Sequence, residues 1–353
     1  MTVDELLSLD QFSVASDRKS GVILPLLRAL TEHHAANCRA YGHVLDALWQ
    51  SGRRAERLED LPHLPVGLFK SLTLSSVPAD DVFAVAHSSG TTGQQPSQVV
   101  LDRRTAALQA RALSAVLREV VGRHRVPLLI VDAQSQLRAS HARAIGIRGM
   151  LPFGRPSVFA LDADFEPDPD VITDFLARYG RSPFLVFGFT FLVWRVVQAL
   201  APLGVDLANG TLIHSGGWKT LKDSGVSNQQ FKDTCRTLVN LRRVFNFYGM
   251  VEQPGSVFLE GEDGFLYTPA CADVIVRDPE TWQPAPLNQP GVLQVLSVLP
   301  ESYPGHSLLT EDLGVIHGID DGPCGRRGKY FTILGRLPRA ELRGCSDVAA
   351  SRM

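Results

Sequence analysis

The feature that most constrains this chain is a regular alternation between residues 82 and 250. Short β-rich apolar runs occur at 128–132, 157–161, 184–187, 211–214 and 244–248. Segments of helical character separate them, at 105–121, 171–179, 191–200 and 228–238. Strands that are apolar throughout are covered on both faces, and strands alternating with helices build a sheet with parallel content. After residue 255 the pattern changes. Short strand-like runs at 256–260, 265–268, 272–277, 292–298, 313–317 and 330–334 are separated by Gly, Pro and Asp turns, which reads as a β-rich subdomain. Before residue 62 the chain reads as helical, with Ile23, Leu26, Leu27 and Leu30, then Tyr41, Val44, Leu45 and Leu48, at helical spacing. Pro62 and Pro65 close that segment. The expected organisation is therefore a helical segment 1–62, an α/β core 63–254, a β-rich subdomain 255–336 and a tail 337–353.

Composition excludes several function classes. With 35 basic and 37 acidic side chains the net charge is −2, no electrostatic basis for binding nucleic acid or an anionic membrane. No apolar run reaches the roughly 18 residues of a membrane helix. The opening stretch, MTVDELLSLD, lacks the basic-then-apolar order of a signal peptide. The 5 cysteines are odd in number, far apart and never spaced C-x-x-C, so neither a zinc site nor a disulfide framework is expected. A reducing cytoplasm is the natural setting.

The segment Ser88-Ser89-Gly90-Thr91-Thr92-Gly93 follows the apolar run 82–86 and precedes a second strand-like run at 97–102. Six small residues in a hairpin-type loop can surround a phosphate with hydroxyls and backbone N–H groups, because glycine lets the backbone approach closely. The pattern does not match G-x-x-x-x-G-K-[ST]. By composition alone a flexible surface loop remains open.

Ser-Ser-Gly-Thr-Thr-Gly resembles the nucleotide-phosphate signature of the acyl-adenylate-forming superfamily. Pro65-Val-Gly-Leu-Phe-Lys70 upstream, His87 before the loop, and Ser97 with Leu101-Asp102 after it resemble the LuxE family of acyl-protein synthetases. Such enzymes use ATP to activate an acid as acyl-AMP and then pass the acyl group to a cysteine. The resemblance implies an α/β fold like the N-terminal domain of adenylate-forming enzymes: mixed sheets flanked by helices, plus a small β-rich subdomain. Superfamily members usually continue into a mobile C-terminal lid domain, which is expected to be absent here.

Further motifs follow in the superfamily's order. In His214-Ser-Gly-Gly-Trp-Lys219, Gly216 and Gly217 can form a flat wall beside the adenine, and Lys219 serves an anion or faces water. In Phe247-Tyr248-Gly249-Met250-Val251-Glu252-Gln253, the resemblance implies that Tyr248 stacks on adenine, with Gly249 beside it, and that Glu252 supports Mg²⁺. An oxygen ligand suits that hard cation and a flat apolar partner suits the base. Asp312, in Leu309-Thr310-Glu311-Asp312, matches the aspartate that accepts from both ribose hydroxyls, since a carboxylate offers two acceptor oxygens. Gly335-Arg336, after the strand 330–334, matches an arginine that contacts ribose or phosphate. Cys324, without a metal-spaced partner, reads as structural. His87 either positions the substrate carboxylate or makes a structural hydrogen bond.

Near the C-terminus, Arg343-Gly344-Cys345-Ser346 resembles the family's acyl-acceptor context. Arg339 and Arg343 favour the thiolate; Glu341 and Asp347 oppose it. In the absence of a lid lysine, Lys219, Lys70 or Arg336 is the candidate for neutralising transition-state charge. The leading expectation is an ATP- and Mg²⁺-dependent ligase that loads a carboxylic acid, of fatty type, onto Cys345 for a reductase or acyl-carrier partner. Two alternatives stay open: a ligase passing acyl-AMP to coenzyme A, a carrier thiol or an amine, and a catalytically inactive adenylation-like scaffold.

Overall fold

The computed structural model describes residues 1–49, 55–88, 96–138, 142–216 and 226–337. The chain opens with α1 (Val3–Ser8), α2 (Ser16–Asn37) and α3 (Arg39–Leu48). One face of α2 buries Ile23 and Leu27, and with them the ammonium-bearing Lys19. Lys19 donates to Thr268 Oγ1 (2.7 Å) and pairs with Asp273 at 3.3 Å; Asp273 also holds Lys329 at 3.2 Å. Farther along α2, His34 stacks on His306, with ring centroids 5.1 Å apart. Polar contacts in the interior thus bind the helical segment to the late strands.

A short strand β1 (Leu64–Pro65) pairs in parallel with residues 308–309, and α4 (Leu68–Ser71) follows at once. Next come the antiparallel hairpin of β2 (Ala84–His87) and β3 (Gln98–Leu101), and α5 (Arg103–Val121). Asp102 starts α5 by accepting from Thr105 N–H at 2.7 Å, a standard N-cap.

The alternating region forms β4 (Val126–Ala133), α6 (Ala142–Met150), β5 (Gly154–Leu161), α7 (Pro169–Tyr179), β6 (Phe184–Phe189), α8 (Thr190–Leu200), β7 (Gly210–Ser215), α9 (Asn228–Val239) and β8 (Arg243–Tyr248). These strands lie parallel in the order β5-β4-β6-β7-β8. The apolar runs they carry have a direct cause. Leu129, Val131, Val186 and Leu212 pack into a core with α7, α8 and α9, whereas Leu128, Ile130, Leu185 and Ile213 pack into a second core that includes Val116 of α5 and Ile147 of α6. Successive residues serve opposite faces, and both faces are covered.

The chain then runs through β9 (Phe258–Glu260), β10 (Leu266–Tyr267), β11 (Ala272–Arg277), β12 (Gly291–Ser297), β13 (Ser307–Ile319) and β14 (Lys329–Arg336). β9 pairs antiparallel with β8, so the parallel strands continue without a break into the antiparallel part. Among the described residues no helix is long and apolar enough to cross a membrane.

The expected fold class matches this architecture, with three local corrections. Helix α6 was not anticipated. β13 is longer than the run 313–317 and includes Thr310 and Asp312, and β14 runs on through Gly335 and Arg336. The strands persist there because each backbone finds its partner: Asp312 pairs with Arg336, and Leu313 with Gly335.

Candidate active site

In open parallel sheets, ligands are held outside the carboxyl ends of the strands. β7 ends at Ser215, which donates to Phe247 O at 2.7 Å and so ties its exit to that of β8. Gly216 follows with φ of 63°, a left-handed conformation that favours glycine. β8 ends at Tyr248, and the loop after it carries the exposed Gly249 and then Glu252, which is 7% exposed.

That loop is held from below. Buried Gln253 donates to Gly305 O at 2.7 Å. Gly255 has φ of 82°, and a Cβ there would lie 2.5 Å from Gln109 O of α5, so the loop approaches the helix backbone directly. Burial raises the Glu252 carboxyl above its ordinary range, and the charges of Lys70 and Arg336 act in the opposite sense. The Glu252 carboxylate thus lies within electrostatic reach of Lys70 and Arg336, both distant in sequence.

Asp312 reaches the same place from β13. Only Leu293 of β12 stands between the pairs Val292–Leu313 and Gln294–Leu309, so Thr310, Glu311 and Asp312 form a bulge. Bulges re-aim side chains and are frequent beside active sites. Thr310 Oγ1 donates to Leu293 O (2.7 Å) and accepts from Asp312 N–H (3.1 Å), which fixes the bulge. Asp312 Oδ2 accepts from Tyr248 Oη at 2.7 Å, and Oδ1 lies 3.8 Å from Arg336 Nε. Burial, then the Asp312 carboxylate, pushes the Tyr248 phenol well above its ordinary value.

Lys70 stands on α4, beside β1 and its partner β13, and its Nζ lies 3.6 Å from Glu311 Oε1. Phe69 next to it is buried against Tyr303, with ring centroids 6.1 Å apart. Glu311 as the partner of Lys70, and Tyr303 beneath the site, were not anticipated. Nothing in the local sequence marks them, because each depends on strands paired across more than 200 residues.

The hairpin of β2 and β3 closes at its base. Ser88 N–H donates to Ser97 O (3.1 Å), and Ser97 N–H donates to Ser88 Oγ (2.8 Å). Among the described residues the buried Nδ1 of His87 makes no hydrogen bond. Ser89, Gly90, Thr91, Thr92, Gly93, Gly217, Lys219 and Cys345 lie outside the described residues. Also among the described residues, no group of three or more His, Cys, Asp or Glu side chains converges as a metal cage. One carboxylate such as Glu252 fits a Mg²⁺ that arrives with a triphosphate, since Mg²⁺ is often bound through one or two carboxylates plus substrate phosphates.

A model of the acyl-protein synthetase family LuxE matches residues 2–353. The chain belongs to the LuxE family. It is accordingly a ligase of the acyl-protein synthetase type. Two relatives bear the name long-chain-fatty-acid–luciferin-component ligase. The one from Aliivibrio fischeri is 22% identical over 82% of this chain and 78% of its own length. The one from Vibrio harveyi is 23% identical over 91% and 85%. Among solved structures, 2-hydroxyisobutyryl-CoA ligase in an open conformation aligns with a TM-score of 0.66 at 17% identity, covering 97% of this chain and 82% of that one. ATP-bound MatB from Rhodopseudomonas palustris aligns with a TM-score of 0.52 at 21% identity, over 74% and 49%. The LuxE chain thus shares the fold of adenylate-forming ligases.

Proposed function

We propose that this LuxE chain activates a long-chain fatty acid with Mg·ATP and takes the acyl group onto its own Cys345. In the first step a carboxylate oxygen of the acid attacks the α-phosphorus, the α–β anhydride bond breaks, and pyrophosphate leaves with Mg²⁺. In the second, the Cys345 thiolate attacks the acyl carbon of the mixed anhydride, AMP departs, and the thiol proton has gone to solvent. The thioester then serves a reductase or acyl-carrier partner.

The observation that carries this reading is the convergence of Tyr248, Glu252, Asp312, Lys70 and Arg336 beside the hairpin bearing Ser88–Gly93. The roles follow from chemistry. The hairpin loop binds phosphates, with His87 at its entry. Gly216 and Gly217 border the base, Tyr248 and Gly249 lie against it, and Asp312 takes the ribose. Glu252 supports Mg²⁺. Lys70 and Arg336 offset charge developing on phosphate oxygens, with Lys219 as a further candidate; fixed cations are worth most where water is excluded.

Chain length is compatible with the second step. Leu337 N–H donates to Glu311 O at 2.8 Å, so the tail leaves beside the site. From Leu337 to Cys345, eight residues of extended chain reach at most about 29 Å.

Acid-dependent exchange of labelled pyrophosphate into ATP tests the first step. Exchange is expected with long-chain fatty acids. ATP binding without exchange across acids of all chain lengths would favour the scaffold reading instead.

A further inference from the structure

One contact at the site joins groups that the proposed function uses for different tasks. Tyr248 lies at the end of β8 and Asp312 on the bulge of β13, strands that are not neighbours in the sheet. The two residues are 64 positions apart, yet the phenol donates to the carboxylate at 2.7 Å. If Tyr248 only offered a flat ring to a base, its hydroxyl would have no task, because stacking uses the face of the ring.

The surroundings explain what the hydroxyl does. Asp312 stands on a bulge, and Thr310 secures its backbone but not its side chain. Arg336 is 76% exposed and 3.8 Å away, a loose restraint on the other oxygen. Hydrogen bonds to an ionised acceptor are short and strong compared with neutral ones. The Tyr248 hydrogen bond is thus a short, charge-assisted restraint on one oxygen of the carboxylate. A carboxylate has about four acceptor positions on two oxygens; accepting from Tyr248 uses one and orients the remainder.

We propose that the Tyr248 hydroxyl is a positioning group that holds the Asp312 carboxylate in the orientation that receives both hydroxyls of a ribose, and so makes the site selective for ribonucleotides over 2′-deoxynucleotides. This inference rests on the assignment of Asp312 to the ribose made above. It treats Tyr248 as two parts: a ring that meets the base, and a hydroxyl that acts through Asp312. The elevated phenol value is consistent with this, since the hydroxyl keeps its proton and remains a donor throughout the neutral range.

The test is nucleotide binding by titration calorimetry with ATP and 2′-deoxy-ATP, on the full chain, on Tyr248→Phe and on Asp312→Asn. Tyr248→Phe keeps the ring and removes only the hydroxyl. Wild type should prefer ATP by about tenfold or more, a free-energy difference of about 1.4 kcal/mol. In Tyr248→Phe, ATP should weaken about tenfold while 2′-deoxy-ATP changes little, so the preference collapses. A purely structural hydroxyl would lower the melting temperature and the fraction of competent protein while leaving the ratio of dissociation constants intact. If Asp312→Asn abolishes the preference and Tyr248→Phe retains it, the positioning role is refuted and the ribose assignment stands. If wild type shows no preference, or Asp312→Asn keeps it, the ribose assignment itself fails and the inference with it.

Discussion

Acid should destabilise this protein through its enclosed histidines, and His306 permits the effect to be isolated. Its imidazole is 1% exposed, its Nε2 lies 2.9 Å from Thr31 Oγ1, and it stacks on His34. Burial lowers it from 6.5 to about 3, with the charge of His33 adding to the effect. The unfolded chain therefore takes up a proton below pH 6.5 that the folded chain refuses until about pH 3. Stability is full above the unfolded value and is lost as pH falls through this window. Between pH 7.5 and pH 5.0 the loss amounts to about 2 kcal/mol for this group. His214, also lowered by burial to about 3, and His63, lowered to about 4, add losses of the same sign. Glu252 and Glu260, raised by burial, oppose them, because their folded forms accept protons more readily. The difference between two proteins removes these shared contributions; His34, stacked on His306 and lowered by burial and then by His306, is released in part in the variant, which widens the difference in the same direction. Urea unfolding at pH 7.5 and pH 5.0, on wild type and His306→Gln, should show wild type losing about 2 kcal/mol more than the variant. Equal losses would refute the assignment. Should the variant not fold, wild type alone still tests it, since a rise in its stability on acidification would contradict the sum.

Two further predictions concern charge. Asp273→Asn leaves Lys19 and Lys329 enclosed without their shared carboxylate, and should cost about 4 kcal/mol in urea unfolding; Lys19→Met, which keeps the Asp273–Lys329 pair, should cost clearly less. Lys70→Met should lower kcat/KM for ATP in pyrophosphate exchange by about tenfold or more, chiefly through kcat, with Lys70→Arg recovering part of the loss, because a cation paired with Glu311 beside the site is removed.

The sequence made the parallel half of the fold legible because its signals are local. Strands β4 to β8 each carry a short, mostly apolar run, and α5, α7 and α9 begin at Asp102, Asp168 and Ser227, whose side chains cap them. Helix α6 escaped notice because Gly146 and Gly149 interrupt an already weak pattern. Lys19 is a different kind of case. A lysine in a surface-type helical pattern reads as solvated, and only the distant Asp273 makes its burial tolerable. At the site, Tyr248, Glu252 and Asp312 were legible as motif residues through resemblance. That Asp312 sits on a bulge, and that Tyr248 bonds to it, follows from strand register and cannot be read from spacing.

The central claim is that the acyl group ends on Cys345, and intact-mass analysis tests it most directly. After incubation with ATP, Mg²⁺ and a long-chain fatty acid, wild type should gain the mass of the acyl group less water, and neutral hydroxylamine should remove it. Cys345→Ser should still exchange pyrophosphate but gain no hydroxylamine-labile mass. A variant that acquires the labile acyl group as readily as wild type would contradict the account.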